Sequence, residues 1–210
     1  MRSQQSGFTL VEIAIVLVII GLLLGGILKG QELINSARVK NLANDFRVIP
    51  TYIYAYQDKY RALPGDQAAA QLTNQFGAGA ATEATAGTRG NGVIDGAWNG
   101  PATDEAGVFW QHVRLANLAA GPTNTADANY FPTNAVGGRL GAESGPVITG
   151  MTGTYSVCSA GILGRYAKQL DTQMDDGVSN TGSMRVTSDG TTAVAPPLND
   201  DTSYTVCMMF

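Results

Sequence analysis

The sequence predicts an α+β chain: one long N-terminal helix, its first part of membrane character and its continuation amphipathic, packed on a small antiparallel sheet. Three observations carry this. Residues 8–28 are almost continuously apolar. Beyond them Val39, Leu42, Phe46, Ile49, Ile53, Tyr56 and Tyr60 recur at steps of three and four, the spacing of one helix face. The C-terminal third holds short apolar runs bounded by Gly, Asn and Asp, which suit an antiparallel sheet.

The apolar run comes first. Its twenty-one residues, at about 1.5 Å each, make a helix of about 30 Å, the thickness of a bilayer core. A secretory signal would place a shorter apolar run before a small-residue cleavage site. Here the small residue, Gly7, precedes the run, and no A-x-A site follows it. Arg2 on the N-terminal side orients that end towards the cytoplasm and the rest of the chain outward. One residue breaks the run: Glu12. A carboxylate at bilayer depth costs on the order of 3 kcal/mol, and the residues of the apolar stretch offer it no partner. Either another chain supplies one, or the side chain reaches the interface from the helix end.

Gly7-Phe8-Thr9-Leu10-Val11-Glu12 followed by this run closely resembles the N-terminal processing motif of type IV pilins and type II secretion pseudopilins. The resemblance implies a pilin-like fold and several events. A prepilin peptidase cuts between Gly7 and Phe8 and methylates the new Phe8 amine. Glu12 then pairs with the Phe8 amine of a neighbouring subunit during assembly. A buried ion pair of that kind is a poor source of net stability and a good register device. The implied partners are other copies of the chain in a homopolymer, the peptidase/N-methyltransferase, an inner-membrane assembly platform, and the membrane itself before assembly. The implied location is the bacterial inner membrane as a single-pass precursor, then an extracellular or periplasmic filament. The chain departs from many pilins in having no proline between residues 8 and 29; the run ends instead in Gly25-Gly26-Ile27-Leu28-Lys29-Gly30.

The organisation that follows is a leader over 1–7, a membrane and filament-core helix over 8–28, its amphipathic continuation over 29–62, and a globular head over 63–210. Pro50 predicts a bend near Ile49. Leu63-Pro64-Gly65-Asp66 is a stop signal. Tyr52, Tyr54, Tyr56 and Tyr60 cluster on the second part; core packing and subunit contacts account for them more simply than an electron path. Residues 67–105 are poor in large apolar side chains and read as a long surface loop with at most short elements. A short amphipathic helix is predicted over 107–118, a second over 162–170, and strands over 146–149, 154–158, 183–187 and 203–208.

Charge and composition exclude several functions. Up to Arg61 seven Lys/Arg stand against four Asp/Glu, which leaves six against thirteen beyond it within the overall −4. An acidic head carries no footprint for direct nucleic-acid binding and suits solubility outside the cell. The one histidine, His112, has no second histidine or nearby cysteine to make a zinc site. No constellation suggests a catalytic residue, so no enzyme is expected. If the head is exported, Cys158 and Cys207 are expected to join in a disulfide; two buried thiols are the other reading. No cofactor is required. Calcium is the one candidate, at Asp171, Asp175 and Asp176 in DTQMDDG, although neither this stretch nor GNGVIDG at 90–96 has EF-hand spacing. Solvated turns are the simpler reading of both.

The expected function is that of a structural subunit of a type IV pilus-like filament. The alternatives are a secretion-system pseudopilin, or a minor tip pilin whose head acts as an adhesion or binding module.

Overall fold

The computed structural model describes residues 9–210, so Gly7 and Phe8 lie outside the described residues. The order of elements is α1 (Leu10–Tyr60), α2 (Ala69–Phe76), α3 (Glu105–Leu115), β1 (Leu140–Ser144), β2 (Tyr155–Leu163), α4 (Gly164–Met174), β3 (Met184–Thr187) and β4 (Ser203–Met209). The chain divides into two compact units, one up to Ala37 and one over Arg38–Phe210.

In the first unit the apolar side chains of α1 have no cover from the chain. Leu10, Leu17, Leu22, Leu28 and their neighbours are all exposed, and the helix is long and apolar enough to cross a membrane.

In the second unit the predicted stripe is buried. Val39, Leu42, Phe46, Ile49, Ile53 and Tyr56 are each less than 5% exposed, and Tyr60 packs at the edge of the same core. Each such side chain removed from water contributes about 1.5–3 kcal/mol. The helix is unbroken at Pro50, although proline removes one ladder donor. It ends at Tyr60, where Arg61 turns to a φ of 54°, before the Leu63-Pro64 signal.

The sheet has the order β1-β2-β4-β3, with every neighbouring pair antiparallel. Tyr155 and Val157 of β2, with Tyr204 and Val206 of β4, join the α1 stripe, Phe109, Tyr166 and Leu170 in one core. The alternate residues Cys158, Cys207 and Met209 face a second cluster with Trp98, Ile148 and Met151. Both faces of the central strands are thereby covered, which explains the nearly continuous burial of β2.

Several expectations need correction. The first strand lies at Leu140–Ser144 and not at 146–149, where the chain bends and turns; Ile148 is buried there as a loop anchor. β2 runs on to Leu163, with a register shift between Ser159 and Ile162 and Gly161 at positive φ. The helix expected from 162 therefore starts at Gly164. Residues 67–105 hold one short helix, α2, within the expectation of short elements, but the segment is not all surface: Leu72, Ala84, Ile94 and Trp98 are buried.

Buried polar groups hold that segment. Asp66 accepts the N–H groups of Gly90, of Asn91 at 3.2 Å and of Gly92 at 2.8 Å. Glu105 accepts Asp95 N–H at 2.9 Å. Gly65 passes so close to the Glu105 carbonyl that a Cβ would collide with it, and its φ of +98° also calls for glycine. His112 is fully buried. Its Nδ1 accepts Gly65 N–H at 2.9 Å, so Nε2–H donates to the Thr82 carbonyl at 2.9 Å. Burial lowers its pKa to about 4, so the ring is neutral and serves as a brace.

Candidate functional site

Three groups of side chains carry the chemistry that the sequence points to. The first is the start of α1. Thr9 is the residue before the helix, and its backbone N–H and hydroxyl both donate to Glu12 Oε2 at 2.8 Å. Glu12 N–H returns a bond to Thr9 Oγ1 at 3.3 Å. This is a reciprocal capping box, which satisfies two of the donors that a helix start leaves open. The expectation that Glu12 has no partner near it in the chain is corrected: Thr9 is that partner. The T-x-x-E spacing is its signature in the sequence, and treating Glu12 as a charge alone passes over it. The Oε1 oxygen accepts no bond among the described residues, and Glu12 stands on a helix surface that is exposed throughout.

The second group is the cystine. Cys158 on β2 and Cys207 on β4 stand directly opposite each other in the ladder, with Cα atoms 4.1 Å apart, and are joined. That separation belongs to the closely spaced pairs of an antiparallel ladder. Both residues are fully buried. The alternative of two free thiols is thereby closed.

The third group is acidic. Asp171 lies in the last turn of α4 and is 1% exposed. Its Oδ1 accepts Gly177 N–H at 3.3 Å, while Oδ2 is buried with no hydrogen-bond partner. Burial first, and then the neighbouring Asp176 and Asp175 carboxylates, raise its pKa to about 6. Asp175 caps Met184 N–H at 2.8 Å. Asp176 accepts Val178 N–H at 2.8 Å and the Thr181 hydroxyl at 2.6 Å, bonds that lower its pKa. One oxygen from each of the three lies within 4.8 Å of the others. Calcium holds oxygens at about 2.3–2.6 Å, so two of its ligands are at most about 5 Å apart; this spacing suits one ion. The one acidic residue of the 90–96 stretch behaves differently. Asp95 Oδ2 accepts Thr88 N–H at 3.0 Å and the Asn91 side-chain amide at 3.2 Å.

Comparison with known proteins agrees with the N-terminal geometry. Residues 2–28 match the prokaryotic N-terminal methylation motif. No curated protein matches the chain, and no solved structure matches it. The match covers the apolar run, Glu12 and the Gly7–Phe8 junction. Such a motif implies processing by a prepilin peptidase and assembly with other pilin subunits, and with the apolar helix it fits an inner-membrane precursor that later enters a surface filament. Proteins that carry it are structural subunits. The chain thus bears the prepilin-type cleavage and methylation motif that marks type IV pilin and pseudopilin proteins.

Proposed function

We propose that this chain is a structural subunit of a type IV pilus-like filament, cleaved between Gly7 and Phe8 and polymerised through α1. One observation carries the reading most: an uncovered apolar helix surface over 10–28 with a single carboxylate, in a chain whose second unit has a hydrophobic core of its own. A plain membrane anchor gains from the carboxylate only the cap on Thr9, about 1 kcal/mol, against a cost on the order of 3 kcal/mol at bilayer depth. In a bundle of identical helices the same apolar surface packs against its neighbours, and tight side-chain contacts offset the loss of lipid. The head then serves as a stable outer layer; it is not an enzyme in this account.

Shearing the source cells and probing both fractions with an antibody to the head tests this. Abundant protein in the sheared filaments is expected of a major subunit. Processed protein kept in the cell envelope would instead indicate a secretion pseudopilin, and trace amounts confined to filament ends a tip subunit with a binding role.

We further propose that Asp171, Asp175 and Asp176 bind calcium in the head. The support is the buried, unpartnered Asp171 Oδ2 beside two other carboxylates, since a buried unpaired carboxylate is costly. Calcium is expected to raise the head's thermal midpoint over that in chelator, by about 2.7 kcal/mol of stability at a hundred times the Kd. Asp171→Asn should remove the response. Equal midpoints with calcium and with chelator would count against the site.

A further inference from the structure

The chain has one histidine, His112, and its ring closes a loop. Gly65, just past the end of α1, donates its N–H to Nδ1 at 2.9 Å. The Thr82 carbonyl accepts Nε2–H at 2.9 Å. Both ends of the 65–82 stretch, with α2 between them, therefore meet on one ring. Nδ1 can accept only while it carries no proton. A second proton would set N–H against N–H at Gly65 and place a charge where the ring is wholly buried, at a high desolvation cost.

No neighbouring group offsets that charge. From α1, the Tyr56 ring stacks on the imidazole with centroids 6.4 Å apart, and its hydroxyl is spent on Gln67 Oε1. Tyr60 packs on Tyr56, and Lys59 donates to the Ala116 carbonyl. α2 has no titratable residue. Asp66, next to Gly65, gives its carboxylate to the N–H groups of Gly90, Asn91 and Gly92. Glu83, next to Thr82, pairs with Arg89. On α3 itself Glu105 holds Asp95 N–H, and Arg114 is held by the Pro122 and Tyr130 carbonyls. Among the described residues no carboxylate forms an ion pair with the imidazole.

A charged ring must reach water, and part of its surroundings is lightly held. Between Ala68 and Thr82 only Leu72 is buried. The stretch otherwise rests on Tyr56 through Gln67 and on Tyr60 through Phe76, whose ring lies 5.3 Å away. Segments with few buried apolar side chains are the ones that open locally. Asp66 is anchored separately on residues 90–92 and supplies a hinge.

We propose that His112 is an acid-released latch: protonation at Nδ1 breaks its bond to Gly65, and the 67–82 stretch with α2 lifts from α1 and α3 and bares Tyr56 and Tyr60. The device lies in the head and is independent of polymerisation. Its sign follows from burial, which lowers the ring's pKa to about 4, whereas a ring in water has about 6.5. The lifted state binds the proton more readily, so the opening constant rises as pH falls from about 6.5 to about 4, by up to about tenfold per pH unit. Glu105 acts the other way on global unfolding: burial first raises its pKa to about 7, so falling pH favours the folded head. Its bond to Asp95 lies outside the stretch, and the test is therefore local.

Hydrogen exchange of the full-length protein in detergent micelles, read peptide by peptide and corrected for the intrinsic pH dependence of exchange, tests the latch. Between pH 6.5 and pH 4.5 protection over 67–82 should fall about fortyfold, while β2 and β4 keep theirs. His112→Gln, whose side chain does not titrate, should remove that pH dependence. Should the variant not fold, NMR of the one imidazole in the unaltered protein serves instead: it should take up its proton in step with the opening, well below the ordinary pKa of about 6.5. A ring that titrates near that ordinary value with the stretch still protected would overturn the proposal. So would protection over 67–82 that does not change with pH, or acid loss of protection that includes β2 and β4.

Discussion

Glu12→Ala is expected to leave a stable, processed subunit in the membrane and almost no filaments. Removing the carboxylate relieves a bilayer cost on the order of 3 kcal/mol, so insertion should not suffer. What is lost is any role of that charge between chains. A deficit of about 1.4 kcal/mol at each subunit contact lowers that contact's equilibrium constant about tenfold, and a polymer repeats the deficit at every step. Glu12 also closes the capping box on Thr9, and loss of a cap costs about 1 kcal/mol. Glu12→Gln separates the two effects, because glutamine also serves at this position of a capping box but carries no charge. If the charge aligns neighbouring subunits, Glu12→Gln should fail to assemble as Glu12→Ala does. Filaments from Glu12→Gln but not Glu12→Ala would assign the role to the helix cap, and normal filaments from both would refute an assembly role. Electron microscopy of sheared fractions, with an immunoblot of the membranes, reads all three outcomes.

The second large effect is expected at the cystine. Cys158 and Cys207 are 49 residues apart, and in the chain-entropy model closing a loop of that length stabilises the folded head by about 4 kcal/mol. A globular domain holds about 5–15 kcal/mol in all, so the double substitution Cys158→Ala and Cys207→Ala should remove a large fraction of it. The pair also sits inside the cluster of Trp98, Ile148, Met151 and Met209, and the two lost sulfurs leave space there that adds to the cost. Denaturant unfolding of the purified protein should show a fall of about 4 kcal/mol and a lower level of subunit in cells. A fall below about 0.5 kcal/mol, the range of an ordinary surface substitution, would mean that the sheet register holds the strands without the bond.

Much of this fold is legible from local pattern. The seven-residue stripe of α1 needed only its period, because a helix laid along a sheet must be apolar on one face. β3 and β4 match the expected strands to within a residue because each is a short stretch holding β-branched residues between turn residues. β1 was missed for the converse reason. Leu140–Ser144 reads LGAES, with no β-branched or aromatic residue, and it is a strand because β2 offers it a partner edge. That is tertiary context overriding propensity. The burial within the segment before α3 is not legible because its order comes from Asp66 and Glu105 gathering distant backbone N–H groups, which leaves no period in the sequence. Asp171, Asp175 and Asp176 are close in the sequence and could be read as neighbours; the orphaned, buried oxygen of Asp171 could not.

The central claim is that the chain is cut, modified and polymerised through its first helix. Mass spectrometry of the N-terminal peptide from sheared filaments tests it most directly. The account predicts an abundant peptide that begins at Phe8 and carries one added methyl group. A terminus still at Met1, in filament and membrane fractions alike, would contradict it and leave a simple anchored domain.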